Sequence, residues 1–376
     1  MKKLDYIDSL RGLAILGVIL FHTCMFHGLN LSNSTLPATL DKIFHQGARG
    51  VQLFYIASAF TLFLSFKNRI NKEKFPIKNF FIRRIFRIAP MYYIGICYYL
   101  FQHGFGYNYW LGDETHITAM NVISNVTFLH GVNPYWINSL VPGGWSITVE
   151  MMFYAILPFL FSKIKNLNQA FSFFLISLLI DFVLQIILLR YPLIGFERLW
   201  REYLFFYFPN QLPVFALGIM FYFIVAEKES LTTLSGKQLL VFGMILILHL
   251  LDIGNRFIIP DHILYGIGFL VIGIALSKYQ WKLAVNPIIN YIGKVSFSMY
   301  LVHFAVLHWL AEFNLIDHFS NGMVNYAITY SLAVAITVLI SSITYNLIEI
   351  PFQKIGKKII DRAELKHTQS VVIPEG

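Results

Sequence analysis

Charge is what this sequence has least of. Only 13% of its 376 residues are Asp, Glu, Lys or Arg, about half the roughly 25% of a soluble globular domain. The chain is 57% hydrophobic, with a mean hydropathy of +0.61. That balance excludes an ordinary soluble domain and describes a polytopic membrane protein. Cysteine is nearly absent. Cys24 and Cys97 lie in apolar stretches and form no CxxC, which excludes a disulfide framework. There is no P-loop and no G-x-S-x-G, and no histidine pair has the spacing of a metal site, so nucleotide-loop, serine-hydrolase and metal chemistry find no support. Repeats and low-complexity linkers are also missing. The net charge of +9 does not point to nucleic acid, because basic residues of membrane proteins gather in cytoplasmic loops.

What is present is a series of apolar runs. They predict an all-α bundle of about ten transmembrane helices, near residues 10–29, 48–66, 88–102, 145–162, 169–189, 204–226, 238–253, 259–277, 288–311 and 323–350. Residues 1–350 then form one membrane domain, and 351–376 a loose cytoplasmic tail. With the N-terminus in the cytoplasm, inside segments hold 23 Lys and Arg and outside segments hold 6. This predicts that both termini are cytoplasmic, in a multi-pass membrane protein. The long outer segment 103–144 has no Lys or Arg. The N-terminus resembles a signal peptide only superficially: Asp5, Asp8 and Arg11 follow Lys2 and Lys3, and no small-residue cleavage site ends the run, so the first helix is expected to be retained.

The first apolar run, DSLRGLAILGVILFHT (8–23), opens on Arg11 and carries His22. Eleven helical residues rise roughly 16 Å and return to within about 20° of the starting direction, so both side chains share a face. A membrane-embedded histidine is a functional candidate by default, although it can also be a hydrogen-bonded packing residue. The spacing suits a long molecule with an anionic head at Arg11 and its reactive end at His22. Coenzyme A has that shape, and a neutral imidazole can take a proton from an attacking hydroxyl.

Three further groups of polar residues stand out. Arg83 and Arg84 lie four and three residues before Arg87, on one helical face, ahead of Pro90, which is expected to kink or end that turn. They fit a phosphate clamp or a positive-inside anchor against anionic lipid. Ser146, Glu150 and Tyr154 form an i, i+4, i+8 stripe. There Glu150 can orient His22, hold acceptor hydroxyls, or pair with an outer arginine such as Arg49 or Arg198. Ser296, Tyr300 and His303 repeat the pattern near 288–311, where interhelical hydrogen bonding is the bland alternative.

Taken in order, the motifs resemble the acyltransferase family 3 membrane proteins. These are YIDSLRG with Arg-x10-His, GARGVQLFYIASAFTLF (47–63), FFIRRIFRIAPMYY (80–93), GGWSITVEMMFYAILP (143–158), IGKVSFSMYLVHFAVL (292–307) and IEIPF (348–352). The resemblance covers essentially the whole chain. It implies a membrane O-acetyltransferase moving acetyl from cytosolic acetyl-CoA to a sugar hydroxyl of a cell-surface polysaccharide or its lipid-linked precursor. His22 and Glu150 would be catalytic, and Arg11, Arg83, Arg84 and Arg87 would bind the donor. Trp145, Ser146, Tyr154, Ser296, Tyr300 and His303 would line the substrate site. Ala59 stands where the family usually has glycine, a change that touches helix packing. Some members carry an appended extracellular domain; this chain, ending soon after its last span, is expected to act as a stand-alone transferase. Two rivals of other classes are a multi-helix anion or metabolite transporter, which moves substrate without acyl chemistry, and a non-catalytic assembly or sensor protein, which binds no CoA.

Overall fold

A computed structural model describes residues 4–26, 38–112, 114–229, 260–316 and 321–372, with isolated positions between 236 and 247. Among the described residues all regular structure is helical. In chain order the helices are α1 (Asp5–Phe26), α2 (Ala38–Gln46), α3 (Gly50–Ile70), α4 (Pro76–His103), α5 (Ala119–Val126), α6 (Gly144–Lys163), α7 (Leu167–Arg190), α8 (Glu197–Phe206), α9 (Phe208–Val225), α10 (Asp261–Lys278), α11 (Pro287–Glu312), α12 (Gly322–Thr344) and α13 (Ile350–Val372).

Seven stretches among these residues are long and apolar enough to cross a membrane: Asp5–Met25, Lys42–Ile70, Gly144–Lys163, Leu167–Arg190, Glu197–Val225, Asp261–Lys278 and Gly322–Leu365. The expected spans at 88–102 and 288–311 fall on α4 and α11, which are 28 and 26 residues long but less apolar. The span expected at 238–253 lies outside the described residues apart from isolated positions. Pro90 does not end α4, and Pro158 and Pro213 likewise lie inside α6 and α9. Helices in apolar surroundings tolerate proline where neighbouring groups take up the freed carbonyl.

The chain divides into two compact units that interleave in sequence. The first comprises Met1–Phe60, Asn166–Tyr191 and Pro209–Ser342, and the second Thr61–Lys165, Pro192–Phe208 and Ile343–Gly376.

In the first unit α1 and α11 pack almost backbone to backbone. A methyl group added at Gly293 would fall on the carbonyl oxygen of Asp8, and one at Gly12 on that of Ile289. Small residues permit this approach, and dispersion between the two backbones rewards it. The Ser9 hydroxyl donates to Asn290 Oδ1 at 2.5 Å beside the crossing. From α12, the Tyr326 and Tyr330 hydroxyls donate to the Leu20 and Leu16 carbonyls at 2.8 and 3.3 Å. Two polar contacts tie other elements of this unit together: Arg49 to Asp261 at 2.7 Å, and Gln52 to Gln211 at 3.0 Å.

In the second unit α4 begins at Pro76, which has no N–H to satisfy at the first helical position. The Lys74 and Phe75 N–H groups just ahead of it donate to the Glu364 carboxylate of α13 at 3.0 to 3.2 Å, and Asn79 Nδ2 adds a bond of 2.8 Å. Residues 350–372 are therefore a helix that caps α4, not the loose tail expected from their polarity. The stretch is amphipathic, with Gln353, Lys357, Asp361 and Glu364 on one stripe of a 3.6-residue period. Gly356 sits against the Phe86 ring.

The segment 103–144, which has no Lys or Arg, folds onto α4 and α6 through a buried polar network. The Tyr92 hydroxyl donates to Asn125 Oδ1 at 2.9 Å, and Asn121 Nδ2 to Ser139 Oγ at 2.9 Å. His130 Nε2–H faces the Gly144 carbonyl at 3.1 Å and the Tyr92 oxygen at 3.2 Å. Gly143 precedes α6 with φ +76°, a left-handed conformation that glycine adopts without strain. Burial holds the His130 imidazole down to about 4.

Two outcomes are expected. Gly293→Val should lower the unfolding midpoint of the detergent-purified protein, because the side chain can be seated only by parting α1 from α11, a cost of at least about 1–3 kcal/mol. The depressed His130 value means that the unfolded chain, titrating near about 6.5, binds this proton first as pH falls. Stability should therefore drop between about pH 6.5 and pH 4 by up to about 1.4 kcal/mol per unit. His130→Gln, which keeps the donor, should flatten that dependence in midpoint-versus-pH scans.

Candidate functional site

The close crossing of α1 and α11 brings two imidazoles together at its far end. His303, fully buried on α11, points Nδ1 at the Met299 carbonyl at 3.1 Å, and its Nε2 lies 3.2 Å from His22 Nδ1 on α1. The ring centroids are 5.1 Å apart, and Phe304 packs within 4.3 Å of His22 and 4.1 Å of His303. Tyr300, one turn earlier on α11, lies 5.8 Å from the His303 ring and touches Phe54. Ser296 is buried on the same helix, about two turns before His303. Arg11 is on the same face of α1 as His22, about three turns away, and is 3.7 Å from Asp8. The first unit thus joins His22, His303 and Tyr300 in one cluster, with Ser296 and Arg11 on the two helices that carry it.

The second unit holds a cavity of about 580 Å³ between α4 and α13, within the usual range for ligand sites. Six cationic and three anionic side chains line it. Their pairing is uneven. Arg83 is committed to Glu73 by hydrogen bonds of 2.8 and 3.1 Å. Arg84 and Arg87 form no ion pair within 4 Å among the described residues, and the Arg84 Nε is buried without a hydrogen-bond partner among them. The Arg84 guanidinium lies 5.9 Å from the centroids of both Phe80 and Tyr154, within cation–π reach. The Tyr154 hydroxyl donates to Glu150 at 2.5 Å. Arg84, Tyr154 and Glu150 are therefore one connected group, with Arg87 one turn along α4.

The other residues singled out in the sequence are placed differently. Trp145 packs its ring on Phe206 at 4.4 Å, and the buried Ser146 hydroxyl donates to the Gly143 carbonyl at 3.0 Å. Both help to build the start of α6. Of the arginines weighed as partners for Glu150, Arg49 is bound to Asp261 and Arg198 to Glu202 at 3.3 Å. Among the described residues no three His, Cys, Asp or Glu side chains converge on a metal-sized site.

Two contributions were not foreseen. His303, expected among the substrate-lining residues, contacts His22 directly, and no spacing in the sequence signals that contact. Gln353 and Lys357, from α13, form a wall of the arginine cavity. Their helical spacing was present in a stretch dismissed for its polarity.

A model of the acyltransferase domain matches residues 4–346, and the chain belongs to that family of membrane acyltransferases. It is 24% identical to the Staphylococcus aureus (strain COL) protein named "Putative O-acetyltransferase SACOL0978", across 96% of this chain and 59% of that one. It is equally similar, at 24% over 95% of this chain and 58% of the relative, to the O-acetyltransferase OatA of Staphylococcus aureus (strain NCTC 8325 / PS 47). The chain spans about six-tenths of the length of the curated relatives it matches. No solved structure matches it.

The two arginines should behave oppositely when removed. A partly buried cation without an ion pair costs stability, whereas removing Arg83 leaves Glu73 with only the exposed Arg69, at 3.1 Å. Arg84→Met should leave the unfolding midpoint unchanged or raise it, and Arg83→Met should lower it, in thermal melts of the purified protein.

Proposed function

We propose that the protein is a membrane O-acetyltransferase that moves an acetyl group from acetyl-CoA to a sugar hydroxyl of a cell-surface polysaccharide or its lipid-linked precursor. The observation that carries this reading is the pairing of chemistries within one family member: an imidazole pair buried among aromatic rings, and a cavity whose Arg84 and Arg87 form no ion pair within 4 Å among the described residues. Guanidiniums without carboxylates are matched to phosphate, which each can grip through two parallel N–H bonds. The phosphates of coenzyme A supply such a ligand on the cytosolic side, in line with the excess of basic residues predicted there. Lys357 from α13 adds a cation to the same wall. Arg83, held by Glu73, shapes the cavity. The stripe of Glu150 and Tyr154 holds Arg84 in place behind the clamp.

At the imidazole pair, His22 acts as general base. It takes the proton of the attacking hydroxyl, whose oxygen bonds to the acyl carbonyl carbon. The carbon–sulfur bond breaks, and the departing thiolate receives that proton, leaving an ester and free CoA. Tyr300 and Ser296 are placed to meet the acceptor. The resemblance to enzymes of envelope polysaccharides supports a glycan acceptor, and the name O-acetyltransferase borne by the relatives supports transfer to an oxygen.

The test is CoA release from acetyl-CoA by the purified protein in nanodiscs, with and without a crude surface-glycan extract. Release should depend on glycan. His22→Ala should abolish it while keeping CoA affinity, and Arg84→Ala should weaken CoA binding about tenfold or more, the loss of a charge-assisted hydrogen bond. Substantial transfer by His22→Ala would remove the base from the mechanism. Transmembrane flux of an anion without CoA consumption would replace the enzyme with a carrier.

A further inference from the structure

The imidazole pair carries more information than proximity. A carbonyl oxygen can only accept, so the His303 Nδ1 that faces Met299 at 3.1 Å must bear the hydrogen. In the neutral ring its Nε2 is then a lone pair. That lone pair lies 3.2 Å from His22 Nδ1, and two lone pairs do not attract, so His22 Nδ1 bears a hydrogen as well. The Val18 carbonyl, one turn back on α1, also accepts a hydrogen bond from the His22 ring. One tautomer of His22 meets the His303 lone pair: Nδ1–H, with its own lone pair on Nε2.

We propose that His303 is a positioning residue that holds His22 in the Nδ1–H tautomer and supports its imidazolium, so that Nε2 is the nitrogen that takes the acceptor hydroxyl's proton. This rests on the reading of His22 as the general base. When Nε2 is protonated, His22 carries hydrogens on both nitrogens and a positive charge. The Nδ1–H then donates a charge-assisted bond to the His303 lone pair. A neutral imidazole serves here where a carboxylate serves in a serine-hydrolase triad. The difference has a physical reason: the pair is buried among Phe21, Phe304 and Tyr300, where a permanent carboxylate would be costly in the resting enzyme. A neutral partner costs nothing until the proton arrives. After transfer to the departing thiolate, both rings return to the starting tautomers, so the arrangement resets without an outside proton.

Two variants separate positioning from packing. In His303→Gln the side-chain amide can set its oxygen close to the place of the lost Nε2, keeping the acceptor. His303→Leu fills the space without one. In the glycan-dependent CoA-release assay, His303→Leu should lower kcat about 10- to 100-fold, a share of the 10²–10⁴ that general-base catalysis typically supplies. The KM for acetyl-CoA should stay unchanged, and His303→Gln should recover most of the loss. Nitrogen-15 spectra of histidine-labelled protein in nanodiscs give an independent readout. The His22 resonances, identified by their loss in His22→Gln, should show a protonated Nδ1 and an unprotonated Nε2. Finding Nε2–H in the wild type overturns the proposal. So does wild-type kcat in His303→Leu, or an equal fall in kcat for both variants accompanied by a lower unfolding midpoint. If the wild type itself releases no CoA, the enzymatic reading fails, and the spectrum alone decides whether His303 fixes the ring.

Discussion

The contact on which the rest depends is the meeting of α1 and α11 without side chains between them. Gly12 and Gly293 leave no room for a methyl group, and the two backbones are locked by Ser9 and Asn290 at 2.5 Å. A hydrogen bond between two imidazoles tolerates only a few tenths of an ångström, and each ring is carried on a short stem. The distance between His22 and His303 is therefore set by helices, through glycines three turns away. Rigid elements hold such geometry better than loops do. The tyrosines of α12 that reach the Leu16 and Leu20 carbonyls fix the rotation of α1 just before His22, the remaining freedom that would misdirect the ring.

The second unit works by subtraction. Of the three carboxylates that line its arginine cavity, Glu73 is shared by Arg83 and Arg69, Glu364 is taken up by the N–H groups ahead of α4, and Asp361 is the third. Among the described residues Arg84 and Arg87 form no ion pair within 4 Å. A surface of alternating charges would neutralise itself; diverting the acids to structural tasks leaves cations for a ligand. The same arrangement explains why Arg83 and Arg84, adjacent in sequence and alike in chemistry, differ in role: successive helical residues point about 100° apart, one toward Glu73 and the other toward Tyr154.

Much of this was legible in the residues. Membrane character followed from the scarcity of charge, and the ordered motifs led to the family. The face shared by Arg11 and His22 is a matter of helical arithmetic. The partner of His22 was not legible, because nothing in a pattern of spacing says that two histidines 281 positions apart will sit at the same height on touching helices. Trp145 and Ser146 read as substrate contacts but are packed into the start of α6, since a motif records that residues matter without saying whether they touch ligand or hold backbone. Residues 351–372 misled for a different reason. Hydropathy averages a helix over all its faces, and a stripe that binds α4 on one side and carries charge on the other averages to a tail.

The bond from Glu364 to Lys74 spans 290 residues. Its consequence lies in time. Helices that pair through short loops can assemble as soon as they emerge, whereas distant contacts wait for the intervening chain. The N–H groups ahead of α4 find their acceptor, and the arginine cavity its second wall, only once synthesis has passed residue 364. The imidazole pair, by contrast, needs the chain only as far as Tyr330, whose helix fixes the rotation of α1. The imidazole pair and the arginine cavity are thus completed in sequence, and a chain interrupted between them would hold its histidines in register while the cavity still lacked its second wall.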